Sequence, residues 1–151
     1  MSIIGLGLIG GSIAKALNNS QTNFEIVAFD KPEILDKAIT ESVIDHKSSS
    51  VKESLSADVV FLCLPVELSL QYLKGLSPLL TEDQIISDVS GVKGIFEKKW
   101  TQLNSKGIYI GRHPMTGKEK GGYENSDPLL FENSVYILSD KEVNHPNLMN
   151  L

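Results

Sequence analysis

Short, continuously apolar runs alternate along this chain with longer stretches whose apolar residues recur at helical spacing. The runs at residues 2–5, 25–29, 58–64, 84–88, 107–110 and 134–138 predict strands, and the periodic stretches at 10–18, 32–41, 67–76 and 93–103 predict helices. Pro32 stands where a first-turn proline is tolerated, because its missing N–H has no intrahelical partner in any case. The runs IVAF and VVFLCL carry no polar alternation, as expected of strands covered on both faces. Strand and helix alternating in this way predict an α/β fold, a doubly wound parallel sheet with helices on both sides. Two stretches break the rhythm. Residues 45–54 are polar, with three serines in a row, and predict a surface connection. Residues 111–130 hold four glycines and two prolines and are too long for an ordinary connector, so they predict a functional loop.

Composition narrows the chemistry. A chain of 151 residues, 41% apolar and 22% charged, is the size of one compact domain with a self-sufficient core. Its single cysteine, Cys63, excludes an internal disulfide and a cysteine-rich zinc site and reads as a small buried hydrophobe in a reducing compartment. The net charge of −5 offers no excess of positive charge to a nucleic acid or an anionic membrane. No apolar stretch reaches the length of a membrane span, and no basic residue precedes Lys15 as a signal peptide requires, so a cytoplasmic protein is expected. Few residues precede the first glycine, and the chain stops in a polar run without a further apolar element. A fragment of a larger protein is therefore expected, residues 1–151 forming one dinucleotide-binding domain.

Candidate chemistry concentrates at predicted strand ends. Gly5, Gly7 and Gly10 form G-x-G-x-x-G between a strand and a helix. The first glycine permits the turn, the second admits a pyrophosphate to the backbone, and the third lets helix and strand pack closely. The helix N-terminus that follows offers free N–H groups to the phosphates, and Leu6, Leu8 and Ile9, between the glycines, are candidate cofactor positions with them. Asp30 ends the second strand at the position where a carboxylate accepts hydrogen bonds from an adenosine ribose and repels a 2′-phosphate, which predicts NAD over NADP. Leu64, Pro65 and Val66 close the strand at 58–64 and line the same predicted crevice; Glu67 equally serves as an acidic residue opening a helix. Asp88, Ser90, Gly91 and Lys93 follow the next strand, where a turn needs Ser and Gly in any case. His113 brings a side chain that can take or share a proton, which suits an alcohol oxidation in which a hydroxyl proton must be taken up. Beside it stands Arg112, the only arginine, shaped for bidentate grip of a carboxylate. Lys118, Glu119 and Lys120 also read as a solvated charge run, and His46 and His145 as surface residues.

The segments GLGLIGGS, DVVFLCLPVE, SDVSGVKG, GRHPMTGKEKGG and LLFENSVYIL, in this order, resemble the prephenate dehydrogenase family over nearly the whole chain. The resemblance implies a Rossmann-type NAD-binding domain and NAD-dependent oxidative decarboxylation of prephenate to 4-hydroxyphenylpyruvate in tyrosine biosynthesis, or the corresponding reaction of arogenate. It assigns His113 as acceptor of the ring-hydroxyl proton, Ser90 as the hydroxyl that helps position the substrate, Glu119 as an acidic member of the active-site network, and the glycines and Asp30 as cofactor positions; Arg112 is a substrate-contact candidate on its side-chain chemistry alone. No metal is implied. One departure is visible. The family often reads Asp-x-Gly-Ser-x-Lys, whereas this chain has Ser90 before Gly91, so its hydroxyl sits one residue early. The resemblance further implies a helical second domain, absent from this sequence, that carries homodimer contacts and a substrate-binding arginine. Three rivals compete with this reading: a hydroxy-acid dehydrogenase that relies on a lysine in a later domain, an S-adenosylmethionine methyltransferase, and a non-catalytic NAD-binding module.

Overall fold

A computed structural model describes residues 1–139 of the chain. Within them the elements run β1 (Ser2–Ile4), α1 (Leu8–Asn18), β2 (Val27–Phe29), α2 (Pro32–Thr40), β3 (His46–Lys47), β4 (Val59–Leu62), α3 (Val66–Leu76), β5 (Ile85–Asp88), α4 (Lys93–Trp100), β6 (Ile108–Pro114) and β7 (Tyr136–Leu138). The strands form one sheet in the order β3-β2-β1-β4-β5-β6-β7, parallel from β3 through β6, with β7 antiparallel at the edge. This is the α/β Rossmann-type sheet that the alternation of strand and helix predicts.

The period of two in each strand divides the core. Ile3, Ala28, Phe61, Ile85 and Ile110 face α1 and α2, where they meet Ile13, Ala14, Leu35 and Ala38. Ile4, Val60, Leu62, Ile86 and Tyr109 face α3 and α4, where they meet Leu73, Leu76 and Phe96. Adjacent residues of each central strand thus serve opposite layers, which is why these strands read as unbroken apolar runs. Strand order reverses between β1 and β4, and the crevice beyond the carboxyl ends of those strands is where open α/β sheets bind ligands.

Three details depart from the sequence reading. The polar stretch after α2 contains β3, two exposed residues that pair with β2. Helix α4 ends at Trp100, and the residues expected to continue it form tighter turns, Gln102 N–H donating to Lys99 O and Leu103 N–H to Trp100 O. Strand β6 runs to Pro114. Its parallel pairing with β5 stops at Gly111, and Arg112, His113 and Pro114 continue past the end of β5 by pairing with β7. His113 therefore lies on a strand that overhangs the sheet edge. His145 and the polar run 140–151 lie outside the described residues.

The glycine-rich stretch after β6 is a strap fastened across α1 and α2. Asp127 N–H donates to Ser12 Oγ at 2.9 Å, and Lys15 Nζ donates to Ser126 O at 3.2 Å. Tyr123 is buried, its hydroxyl donating to Glu41 at 2.8 Å and its ring lying 4.8 Å from Lys15 Nζ and 5.7 Å from Lys37 Nζ. Gly11 makes this docking possible, since a Cβ there would come within 2.8 Å of Ser126.

Candidate active site

The turn after β1 is shaped by missing side chains. Gly5 has φ +98°, and a Cβ on it would lie 2.6 Å from Cys63 O and 2.7 Å from Leu64 Cδ2. A Cβ on Gly10 would lie 1.9 Å from Gly5 O, so α1 sits on the end of β1 as closely as backbone allows. Gly7 is the opposite case: nothing lies within 4 Å of where its Cβ would be, and it precedes the first residue of α1. Gly11 N–H donates to Gly7 O at 2.9 Å, leaving the N–H groups of Leu8, Ile9 and Gly10 beyond the reach of the helix's own carbonyls. An open backbone cradle at a positive helix end is what a pyrophosphate needs.

Asp30 stands beside this cradle at the end of β2. Its Oδ2 accepts Leu6 N–H at 2.5 Å and its Oδ1 accepts Lys31 N–H at 2.6 Å, so the carboxylate ties the glycine turn to the neighbouring strand. Lone pairs remain on both oxygens for a ribose hydroxyl. Leu64 packs against the turn, while Pro65 and Val66 open α3, with Ser69 Oγ donating to Leu64 O at 3.0 Å. Burial, then the charge of Asp88, raises the Cys63 thiol above its ordinary pKa, so no thiolate nucleophile stands at this strand end.

The second half of the edge is dense with side chains. Asp88 is completely buried at the end of β5. Its Oδ1 accepts Ser90 N–H at 2.9 Å, Ser90 Oγ at 2.6 Å and Lys93 Nζ at 2.6 Å; its Oδ2 accepts the Tyr109 hydroxyl at 2.5 Å. Burial holds the Lys93 ammonium below its ordinary pKa against the pull of Asp88, and burial together with Asp88 pushes the Tyr109 phenol up. The pair with Lys93 and these donors compensate a carboxylate that could not otherwise stay charged in the interior. The result is a fixed 88–93 loop, and His113 leans on it: Nδ1 lies 3.4 Å from Val89 O, and a Cβ on Gly91 would stand 3.3 Å from Cε1 and Nε2 of the ring.

The sequence candidates separate as follows. Gly5, Leu6, Gly7, Leu8, Ile9, Gly10, Asp30, Leu64, Pro65 and Val66 gather at the β1, β2 and β4 ends, and Ser90 and His113 at the β5 and β6 ends of the same edge. Arg112 does not join His113. Neighbours in a strand point to opposite faces, and Arg112 lies buried on the α1 side, its guanidinium carbon 5.4 Å from the Phe61 ring centre and its Nε without a partner. Burial lowers its pKa, with Tyr136 opposing. Glu119 is exposed on the strap and forms no hydrogen bond with His113, Ser90 or Asp88. Tyr109, which completes the hydrogen bonding of Asp88, was not among the sequence candidates. The available signal was its place one strand across from Asp88 with a side chain on the same face.

A cavity of about 860 Å³ opens at the other edge of the sheet, among Met1, Glu25, His46, Asp58 and Asp83. It lies at the amino ends of the strands, away from the glycine turn. Among the described residues no cluster of His, Cys, Asp and Glu is arranged to hold a metal ion, and no helix is long and apolar enough to cross a membrane.

A family model described as prephenate dehydrogenase, nucleotide-binding domain, matches residues 13–151. The chain belongs to the prephenate dehydrogenase family. Among curated proteins of the family it is 37% identical over 142 residues to a prephenate dehydrogenase of Lactococcus lactis, covering 92% of this chain and 40% of that relative. Prephenate dehydrogenase from Aquifex aeolicus superposes with a TM-score of 0.85 at 31% identity, covering 99% of this chain and 55% of the solved one. Another structure of the A. aeolicus enzyme, in complex with hydroxyphenyl propionate and NAD+, gives 0.82 at 30% identity over 99% of this chain and 53% of that chain. Synechocystis arogenate dehydrogenase gives 0.85 at 29% over 99% and 52%. The chain thus spans about two fifths of its curated relative and about half of the solved chains. The family match begins after the three glycines.

Proposed function

We propose that this chain is the nucleotide-binding and proton-accepting half of an NAD-dependent dehydrogenase that converts prephenate to 4-hydroxyphenylpyruvate. The observation that carries the reading is that the open cradle at Gly7 and the buttressed imidazole of His113 share one sheet edge. The fit to a dinucleotide rests on the space at Gly7, the close packing at Gly5 and Gly10, and the spare lone pairs of Asp30. Leu8, Ile9 and Gly10 N–H groups would hold the pyrophosphate and Asp30 the ribose. NAD, when bound, supplies the hydride acceptor for a reaction in which the substrate also loses a proton and carbon dioxide.

His113 performs the proton transfer. Its Nδ1 faces a carbonyl oxygen, which can only accept, so in the neutral ring the proton resides on Nδ1 and Nε2 keeps its lone pair. Nε2 takes the substrate hydroxyl proton, help of a kind worth about 10²- to 10⁴-fold. Asp88 fixes the loop that supplies Val89 O and thereby acts as a positioning residue. Arg112 is assigned no direct contact with a ligand at His113, because its side chain lies on the other face. Glu119 and Ser90 serve the site only if a ligand draws the strap inward or competes for the Ser90 hydroxyl.

Arogenate in place of prephenate is a second reading, favoured by the equal structural likeness to the Synechocystis arogenate dehydrogenase. A non-catalytic NAD-binding module is the third, in which the cradle at Gly7 holds the nucleotide without turnover. In the full-length enzyme the domain is expected to work within a cytoplasmic homodimer. NADH appearance with prephenate and arogenate in parallel, and NADP as the comparison cofactor, separates these readings. Turnover of prephenate supports the first and preferential turnover of arogenate the second. NAD binding without turnover of either supports the third.

A further inference from the structure

Arg112, the only arginine of the chain, is a buried charge to which the proton transfer gives no task. Its guanidinium carbon lies 5.4 Å from the centre of the Phe61 ring on β4, so the side chain reaches from β6 across β5 on the α1 side of the sheet. Cys63, two residues further along β4 on the same face, lies under the start of α1: a Cβ on Gly10 would stand 3.0 Å from its Cβ. The charge therefore shares a layer with the first turn of α1. Among the described residues no carboxylate pairs with the guanidinium, its Nε has no hydrogen-bond partner, and Asp88 on the intervening strand is paired with Lys93. Tyr136, which faces Arg112, stays neutral, because burial raises its phenol against the opposing pull of the guanidinium. Burial lowers the pKa of Arg112 itself, but a guanidinium remains protonated in a protein. An unneutralised buried cation destabilises the fold that holds it, and a ligand whose charge changes is what makes such a cation useful.

We propose that Arg112 sets the charge preference of the cofactor site, favouring the neutral nicotinamide of NADH over the cationic ring of NAD. Asp30 and the cradle of α1 take the adenosine ribose and the pyrophosphate at the β1 and β2 ends, so the nicotinamide half extends over β4, β5 and β6, toward Arg112. Accepting a hydride removes one positive charge from that ring. A fixed cation on the same side of the sheet stabilises the product of that change relative to the reactant. The phosphates are the same in both forms, so Arg112 acts on the difference between the two and not on the grip they share. The inference rests on the proposed nucleotide site, and binding measurements alone test it.

The experiment measures dissociation constants of NAD, NADH and ADP-ribose, the last lacking nicotinamide, on the chain by calorimetry and NADH fluorescence. Arg112→Met should lower the ratio of the NAD constant to the NADH constant about tenfold, the scale of one unit charge acting through partly buried protein. Arg112→Lys keeps the charge and should hold that ratio within about threefold of wild type, and ADP-ribose should bind every variant within about threefold. Arg112→Gln, which keeps a hydrogen-bonding group beside Tyr136, is the second neutral variant if methionine disturbs folding, and should give the same fall. A ratio unchanged in the neutral variants would overturn the proposal. So would equal weakening of all three ligands, which would assign Arg112 to the pyrophosphate, and so would an equal fall in Arg112→Lys, which would reduce the residue to its packing on Phe61. A wild-type chain that binds none of the three would refute the nucleotide site itself, whereas binding of all three with an unchanged ratio would refute the charge preference alone.

Discussion

The glycine turn after β1 and the 88–93 loop after β5 lie on one edge of one sheet, yet the first is shaped by absent side chains and the second by buried ones. At the turn, backbone meets backbone, and Asp30 is the polar side chain that touches it, through N–H groups. At the loop, Asp88 gathers Ser90, Lys93 and Tyr109, and the imidazole rests on the loop so formed. The difference follows from the tasks. A pyrophosphate is bound by N–H groups that any residue supplies, provided no Cβ intervenes. A proton is moved by one nitrogen whose place and tautomer must be fixed from behind. The first region should therefore be intolerant of added atoms and the second of altered charge.

His113→Asn tests the second region most severely. Turnover should fall by about 10²- to 10⁴-fold with NAD affinity within twofold, read from NADH formation and calorimetric titration. Next come paired substitutions in the turn. Gly10→Ala forces a Cβ into Gly5 O and should cost about 3 kcal/mol of stability in denaturant unfolding. Gly7→Ala meets no atom and should unfold within about 1 kcal/mol of wild type while binding NAD at least tenfold more weakly. Similar stability losses at both positions would erase the distinction between packing glycine and cradle glycine. Asp88→Asn keeps the shape and removes the charge. It should cost about 2 kcal/mol, with a fall in kcat and little change in NAD affinity, whereas a change confined to NAD affinity would move Asp88 to the other region. The smallest effect is expected from Tyr123→Phe, which removes the hydrogen bond to Glu41 and should lower stability by about 1 kcal/mol.

Much of this was legible in the sequence, and the reason is local. Strands buried on both faces announce themselves as apolar runs, α1 through α4 as periodic stretches, and the glycine spacing names its turn because each glycine answers a steric demand within a few residues. What escaped was decided by distant partners. Two residues of β3 carry no pattern of their own and exist because β2 has an open edge. The extension of β6 past Gly111 depends on β7, more than twenty residues away in sequence, and that extension sets His113 and Arg112 on opposite faces. A sequence in which they adjoin suggests a joint site, but the strand period separates them. The contact of Gly91 with the imidazole likewise joins two strand ends that only the sheet brings together, and the strap over α1 rests on pairings such as Ser12 with Asp127.

The most direct test is a titration of the ¹⁵N-labelled chain with NAD, following the backbone amides of Leu6 to Gly11, the His113 imidazole and, as a remote reference, His46 in the amino-edge cavity. The glycine-turn amides and His113 are expected to shift along one saturation curve while His46 stays fixed. Shifts at His46 with a silent glycine turn, or a glycine turn that saturates without any response at His113, would contradict the placement of nucleotide and proton acceptor on one edge.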